Sequence, residues 1–191
     1  MGYRVTDLDR VVELDGYYFI LIGNEHYTYN ELVDFLYRKF DEISIRIGSD
    51  SAIVKGDKFD LLFSLKKYLD KMEWFDELYC NIRKRDGLII MKPHPGSITK
   101  RFCFYYIPFE YFPLIYEKEY QLLNDIIALC ENNDEAIFRK IENVKNGCSL
   151  MEITKKSIIL KPTCMGIGMD FNEILNGRRD DIDDIIIKKD S

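Results

Sequence analysis

The sequence predicts an α+β fold: a mostly antiparallel sheet with helices packed on one face, in a single compact domain. Three observations lead there. Stretches with an apolar period of two and stretches with a period near 3.6 are mixed, without the strict strand–helix–strand alternation of a parallel sheet. Asp-Gly pairs at Asp15-Gly16 and Asp86-Gly87 are flanked by β-formers, the signature of tight hairpins. The chain has 191 residues, 47% of them apolar and 14% aromatic, enough for one domain to bury its own core. That domain is expected over 1–177, with a charged C-terminal tail over 178–191.

Each element has a local reason. Residues 10–22, RVVELDGYYFILI, read as two strands around Asp15-Gly16. In the next segment Leu32, Val33, Leu36, Tyr37 and Phe40 recur at helical spacing, with Thr28 or Asn30 as the cap. ISIRIG, 43–48, alternates and predicts a half-buried strand. KFDLLFSLKKYLDKM carries Leu61, Leu62, Leu65, Tyr68, Leu69 and Met72 on one helical face. ELYCNIRKRDGLIIMKP reads as a second hairpin, and KRFCFYYIPF as a strand ended by Pro108. From Pro113 a long helix is expected through PLIYEKEYQLLNDIIALCEN, since proline is tolerated in a first turn. Asp134–Lys145 is a further helix with Ile137, Ile141 and Val144 inward, stopped by Asn146-Gly147. A last strand pair, LMEI and SIIL, and a short helix from Asp170 to Asn176 complete the reading.

Composition narrows the function. The net charge of −6 leaves no surplus of cations to neutralise phosphates, so nucleic-acid binding is not expected. The basic clusters Arg83-Lys84-Arg85 and Lys100-Arg101 are read as a hairpin tip and a loop end. Five scattered Cys without a CxxC pair, and two His, form neither a zinc site nor a disulfide framework. They fit reduced thiols in the cytoplasm. The first ten residues contain no apolar signal core, and the apolar runs are too short to span a bilayer. No metal or other cofactor is expected.

Five stretches are candidates for chemistry or recognition. Gly166 and Gly168 in LKPTCMGIGMDFNEIL resemble a phosphate-binding turn, but Phe171 stands where a third glycine belongs, and no G-K-[ST] follows. They are expected to turn a corner before a helix capped by Asp170 and Glu173. His26 and Thr28 form half of a paired His-x-Thr phosphoesterase arrangement; around His94 the second half has Gly96 in the hydroxyl position. Asp57, Asp60, Glu152 and Lys155 lack nuclease spacing, because Thr154 holds the lysine's place. Ser49 and Ser51 lie outside a nucleophile elbow. The tail places Asp180, Asp181, Asp183 and Asp184 before Ile185, Ile186 and Ile187. It lacks the glycine and the distal glutamate of a calcium loop, and is read as a frayed end, an added edge strand, or a recognition and dimer-forming strand.

The expectation is a non-catalytic intracellular protein-binding module, immunity- or inhibitor-like in composition, acting through an acidic and aromatic surface on a basic protein partner. Such a module should show an apolar or aromatic patch rimmed by Asp and Glu. The alternative is a small phosphoesterase or nucleotide-binding enzyme using His26 and Thr28, with His94 as the candidate second half.

Overall fold

The computed structural model describes residues 2–4, 8–11, 13–23, 31–70, 72, 74–92, 102–145 and 185–189. Six strands form one sheet: β1 (Gly2–Arg4), β2 (Tyr18–Ile22), β3 (Ala52–Lys55), β4 (Gly87–Lys92), β5 (Cys103–Pro108) and β6 (Ile186–Lys189). Their spatial order is β1-β3-β2-β4-β5-β6. The β1–β3 and β3–β2 pairings are parallel; β2–β4, β4–β5 and β5–β6 are antiparallel. Among the described residues six α-helices accompany the sheet: α1 (Glu31–Ile43), α2 (Lys58–Leu69), α3 (Phe75–Lys84), α4 (Phe112–Ile115), α5 (Glu119–Asn132) and α6 (Ala136–Lys145). The fold is thus a single compact α+β domain with a mostly antiparallel sheet.

The helices cover both faces of that sheet, where the sequence pointed to one. Phe19 and Leu21 of β2, Ile53, Leu88, Ile90, Tyr105 and Ile107 pack with α1, α5 and α6 in a first core. Their neighbours along the same strands face the other way. Tyr18, Ile20, Ile22, Val54, Ile89, Met91, Phe104 and Tyr106 pack with α2 and α3 in a second. The reason lies in the strands. YFILI is buried at every position, a continuous apolar run rather than an alternating one, so neither face can be left to water.

Several segments differ from their local reading. Residues 10, 11, 13 and 14 form no strand, and Asp15-Gly16 turns no hairpin. The Gly16 N–H donates to Asp50 O at 2.6 Å, and a Cβ there would stand 2.3 Å from that oxygen, so only glycine lets the two segments approach. ISIRIG ends α1 instead of forming a strand. The Ile47 N–H donates to Ile43 O; Ile43 and Ile47 are buried four residues apart, and Ile45 is 85% exposed. The strand comes later, as β3. Residues 75–84 are helical, so Asp86-Gly87 joins α3 to β4 rather than turning a hairpin. A Cβ on Gly87 would meet Ile107 O at 2.6 Å because β5 runs alongside. The long helix expected from Pro113 breaks at Tyr116 and Lys118, both extended, into α4 and α5. Helix α6 forms as expected, with Ile137, Ile141 and Val144 buried. The caps at Thr28 and Asn30, the stop at Asn146-Gly147, the strand pair around Lys155-Lys156 and the helix at 170–177 lie outside the described residues.

The buried cations are paired. The Lys55 ammonium donates to Tyr37 O at 2.7 Å and to Asp41 Oδ2 at 2.6 Å. Lys58 meets Asp86 at 2.9 Å. No helix among the described residues is long and apolar enough to cross a membrane.

Candidate functional site

Only some of the residues singled out from the sequence are among the described residues. His26, Thr28, His94, Gly166, Gly168 and the four tail aspartates Asp180, Asp181, Asp183 and Asp184 lie outside the described residues, as do Glu152 and Lys155. Ile185 is fully buried in the first core, and Ile187 is half-buried against it. β6, which contains Ile186 and Ile187, pairs antiparallel with β5 of its own chain. Asp57 caps α2, its carboxylate accepting the Phe59 and Asp60 N–H groups at 2.9 and 3.2 Å. The Ser51 hydroxyl accepts the Tyr17 N–H at 3.0 Å. The Arg83-Lys84-Arg85 cluster ends α3 instead of tipping a hairpin, and Arg85 is engaged by Glu110 and, at 3.0 Å, the Tyr111 hydroxyl. Cys80, Cys103 and Cys130 are free thiols, and burial is the main cause raising the last two above the usual thiol value. Among the described residues no group of three or more His, Cys, Asp or Glu could hold a metal ion.

A site that local reading missed lies where β5 hands the chain to α5. After Pro108 the chain makes a 3-10 turn, Phe109–Tyr111, then the single turn of α4. It runs extended through Tyr116 and Lys118 before α5 begins. The corner encloses a cleft of about 330 Å³. Its apolar wall consists of Phe109, Phe112, Pro113 and Tyr116, with Leu32 contributed by α1. Phe112 lies edge-on to Phe109, ring centres 5.2 Å apart, and 6.1 Å from Tyr116. Glu110, Glu117, Lys118 and Glu119 line it from exposed positions, three carboxylates against one ammonium.

The corner is held from several sides, which matters because a site on a slack loop is imprecise. The Phe109 N–H donates to Asp86 O at 2.9 Å. The Gln121 side-chain oxygen accepts the Glu117 and Lys118 N–H groups at 3.0 and 3.2 Å, the reciprocal half of a capping box. The Tyr116 hydroxyl donates to Asp125 Oδ2 at 3.0 Å, and the Lys140 ammonium donates to the same oxygen at 2.6 Å. Lys140 also lies 5.0 Å over the Tyr116 ring. Burial, reinforced by the Asp125 charge, raises the Tyr116 pKa, so the hydroxyl stays protonated and the wall stays neutral.

The lining sets three carboxylates, one ammonium and one buried phenol around an apolar floor. An aromatic floor with a carboxylate rim can desolvate an apolar side chain while holding a neighbouring cation. The signal was present in PFEYFPLIYEKEY, which interleaves five aromatic residues with three glutamates. It was hidden because the segment also satisfies a helical period from Pro113 onward. No family model matches the chain, and neither does any curated protein or solved structure.

Proposed function

We propose that this chain is a non-catalytic protein-binding module whose cleft takes an apolar side chain from a basic segment of another protein. The observation that carries the reading is the cleft itself: five apolar or aromatic side chains behind a rim of Glu110, Glu117 and Glu119. Pockets of this kind are where aromatic anchors contribute most to association. The acidic rim and the net charge of −6 favour a cationic partner and raise its encounter rate. Free thiols at Cys80, Cys103 and Cys130 suit a reducing, cytoplasmic setting.

The reading is tested by titrating the labelled protein with a lysine-rich peptide carrying one phenylalanine, following amide resonances. Shifts should concentrate on Phe109–Tyr120, weaken with added salt, and drop about tenfold in apparent affinity in Glu117→Lys/Glu119→Lys. An unshifted spectrum, or shifts confined elsewhere, would overturn it.

A further inference from the structure

We infer that the cleft's occupant is a second copy of this chain, docking the outer edge of α2; this rests on the cleft being a binding site. Phe59 and Phe63 stand one helical turn apart on α2 and are 56% and 74% exposed. They belong to neither core, although α2 buries Leu61, Leu62, Leu65 and Leu69 at the same time. Two phenylalanines side by side on a helix surface form an apolar patch, not a scattered exposure.

The patch has a charge pattern. Lys66 and Lys67 follow Phe63 by three and four residues, and Asp60 precedes it by three. Lys66 lies 5.1 Å over the Tyr79 ring of α3, and Arg83 lies 6.0 Å from the same ring, so the basic end of the patch continues onto α3. The cleft presents the inverse: Glu117 and Glu119 to receive the lysines, beside a Glu110 already paired with Arg85, and Lys118 to receive Asp60. An anionic polymer or lipid surface would suit the lysines, but not Asp60 or a chain of net charge −6. A second copy suits both signs.

The two surfaces cannot meet within one molecule. α2 packs on the second core, whereas Phe109, Phe112 and Tyr116 belong to the first, across the sheet. Contact between copies is therefore head-to-tail, and propagates to a closed ring or an open chain. It buries one helix edge against one cleft, at the small end of protein interfaces, under about 1,200 Å² in total, so the association is weak.

The test uses sedimentation of the full chain up to about 1 mM. The wild type should gain mass with concentration. Phe63→Asp, which removes the patch, and Glu117→Lys/Glu119→Lys, which reverses the cleft, should each lose at least about tenfold in association. Mixed at equal amounts, the two variants should form a 1:1 complex and stop there, because each retains one intact surface. Association that survives either change, or a mixture that fails to complement, overturns the inference. A wild type monomeric throughout, with the lysine-rich peptide still shifting the cleft resonances, also overturns it and leaves the cleft to a foreign protein. Monomer without peptide shifts removes both readings.

Discussion

The two faces of the sheet solve the same packing problem with different polar chemistry. On the face covered by α1, α5 and α6, two buried tyrosines pass their hydroxyls to carboxylates, Tyr105 to Glu142 at 2.8 Å and Tyr116 to Asp125 at 3.0 Å, while Tyr37 donates to Gly56 O at 2.8 Å. Those carboxylates are shared with lysines at the surface, Lys189 and Lys140. The hydrogen bond from Lys189 is the leading cause holding Glu142 below the usual carboxylate range. On the face covered by α2 and α3, tyrosine hydroxyls go to main chain. Tyr106 donates to Arg85 O at 3.1 Å, and Tyr18 accepts the Leu14 N–H. The first face is therefore tied down in part by groups that titrate and reach water. The second is tied by main-chain acceptors and by the buried Lys58–Asp86 pair, and its apolar surplus emerges on α2 at Phe59 and Phe63.

The comparison breaks first at β2, whose adjacent residues serve opposite faces. Phe19→Ala should cost about 3–5 kcal/mol and Ile20→Ala about 2–5 kcal/mol in denaturant unfolding, because each leaves a cavity in a separate core. If one change costs under about 1 kcal/mol, that face is not packed as described. On the second face, Asp86→Ala leaves the Lys58 ammonium buried without its partner. The loss should be about 3 kcal/mol, and adding Lys58→Met to the same chain should recover most of it. A double variant no more stable than Asp86→Ala would show that the pair's charge is not what matters.

The smallest effect sharpens the difference in titration. The Tyr116 pKa is raised from 10.0, first by burial and then by Asp125. A folded-state value above the unfolded one means the stabilisation is complete below pH 10 and declines as pH rises above it. Tyr116→Phe should cost about 1 kcal/mol near neutrality, through the lost hydrogen bond, and flatten the alkaline decline. Thermal unfolding between neutral pH and the alkaline limb measures both. An alkaline decline that stays unchanged in the variant would assign it to other groups.

Much of the helical content was legible. Val33, Leu36, Tyr37 and Phe40 of α1, Leu61, Leu62, Leu65 and Leu69 of α2, and Ile137, Ile141 and Val144 of α6 all lie inward, because a 3.6 period among apolar residues is itself the amphipathic face. Short apolar segments were less legible. Ile43, Ile45 and Ile47 fit a strand and a helix end equally well. α1 decided between them by burying the first and third and releasing the second. ELYCNIRK alternates enough to read as a strand, and became α3 by seating Phe75 and Ile82 in the second core. The cleft was least legible of all, since its walls come from α1 and from a corner between β5 and α5.

The sequence by itself determined an apolar content sufficient for a core, the amphipathic helices α1, α2 and α6, the aromatic strand β5 and the acidic net charge. These follow from composition and from neighbours within a few positions. Only the tertiary structure decided that helices cover both faces, that Asp15-Gly16 and Asp86-Gly87 serve as close approaches rather than hairpin turns, and that PFEYFPLIYEKEY opens a cleft. Those outcomes rest on contacts between residues far apart in the chain. Gly16 meets Asp50, Gly87 meets Ile107, and Leu32 lines one cleft with Phe112. No local period encodes such distances.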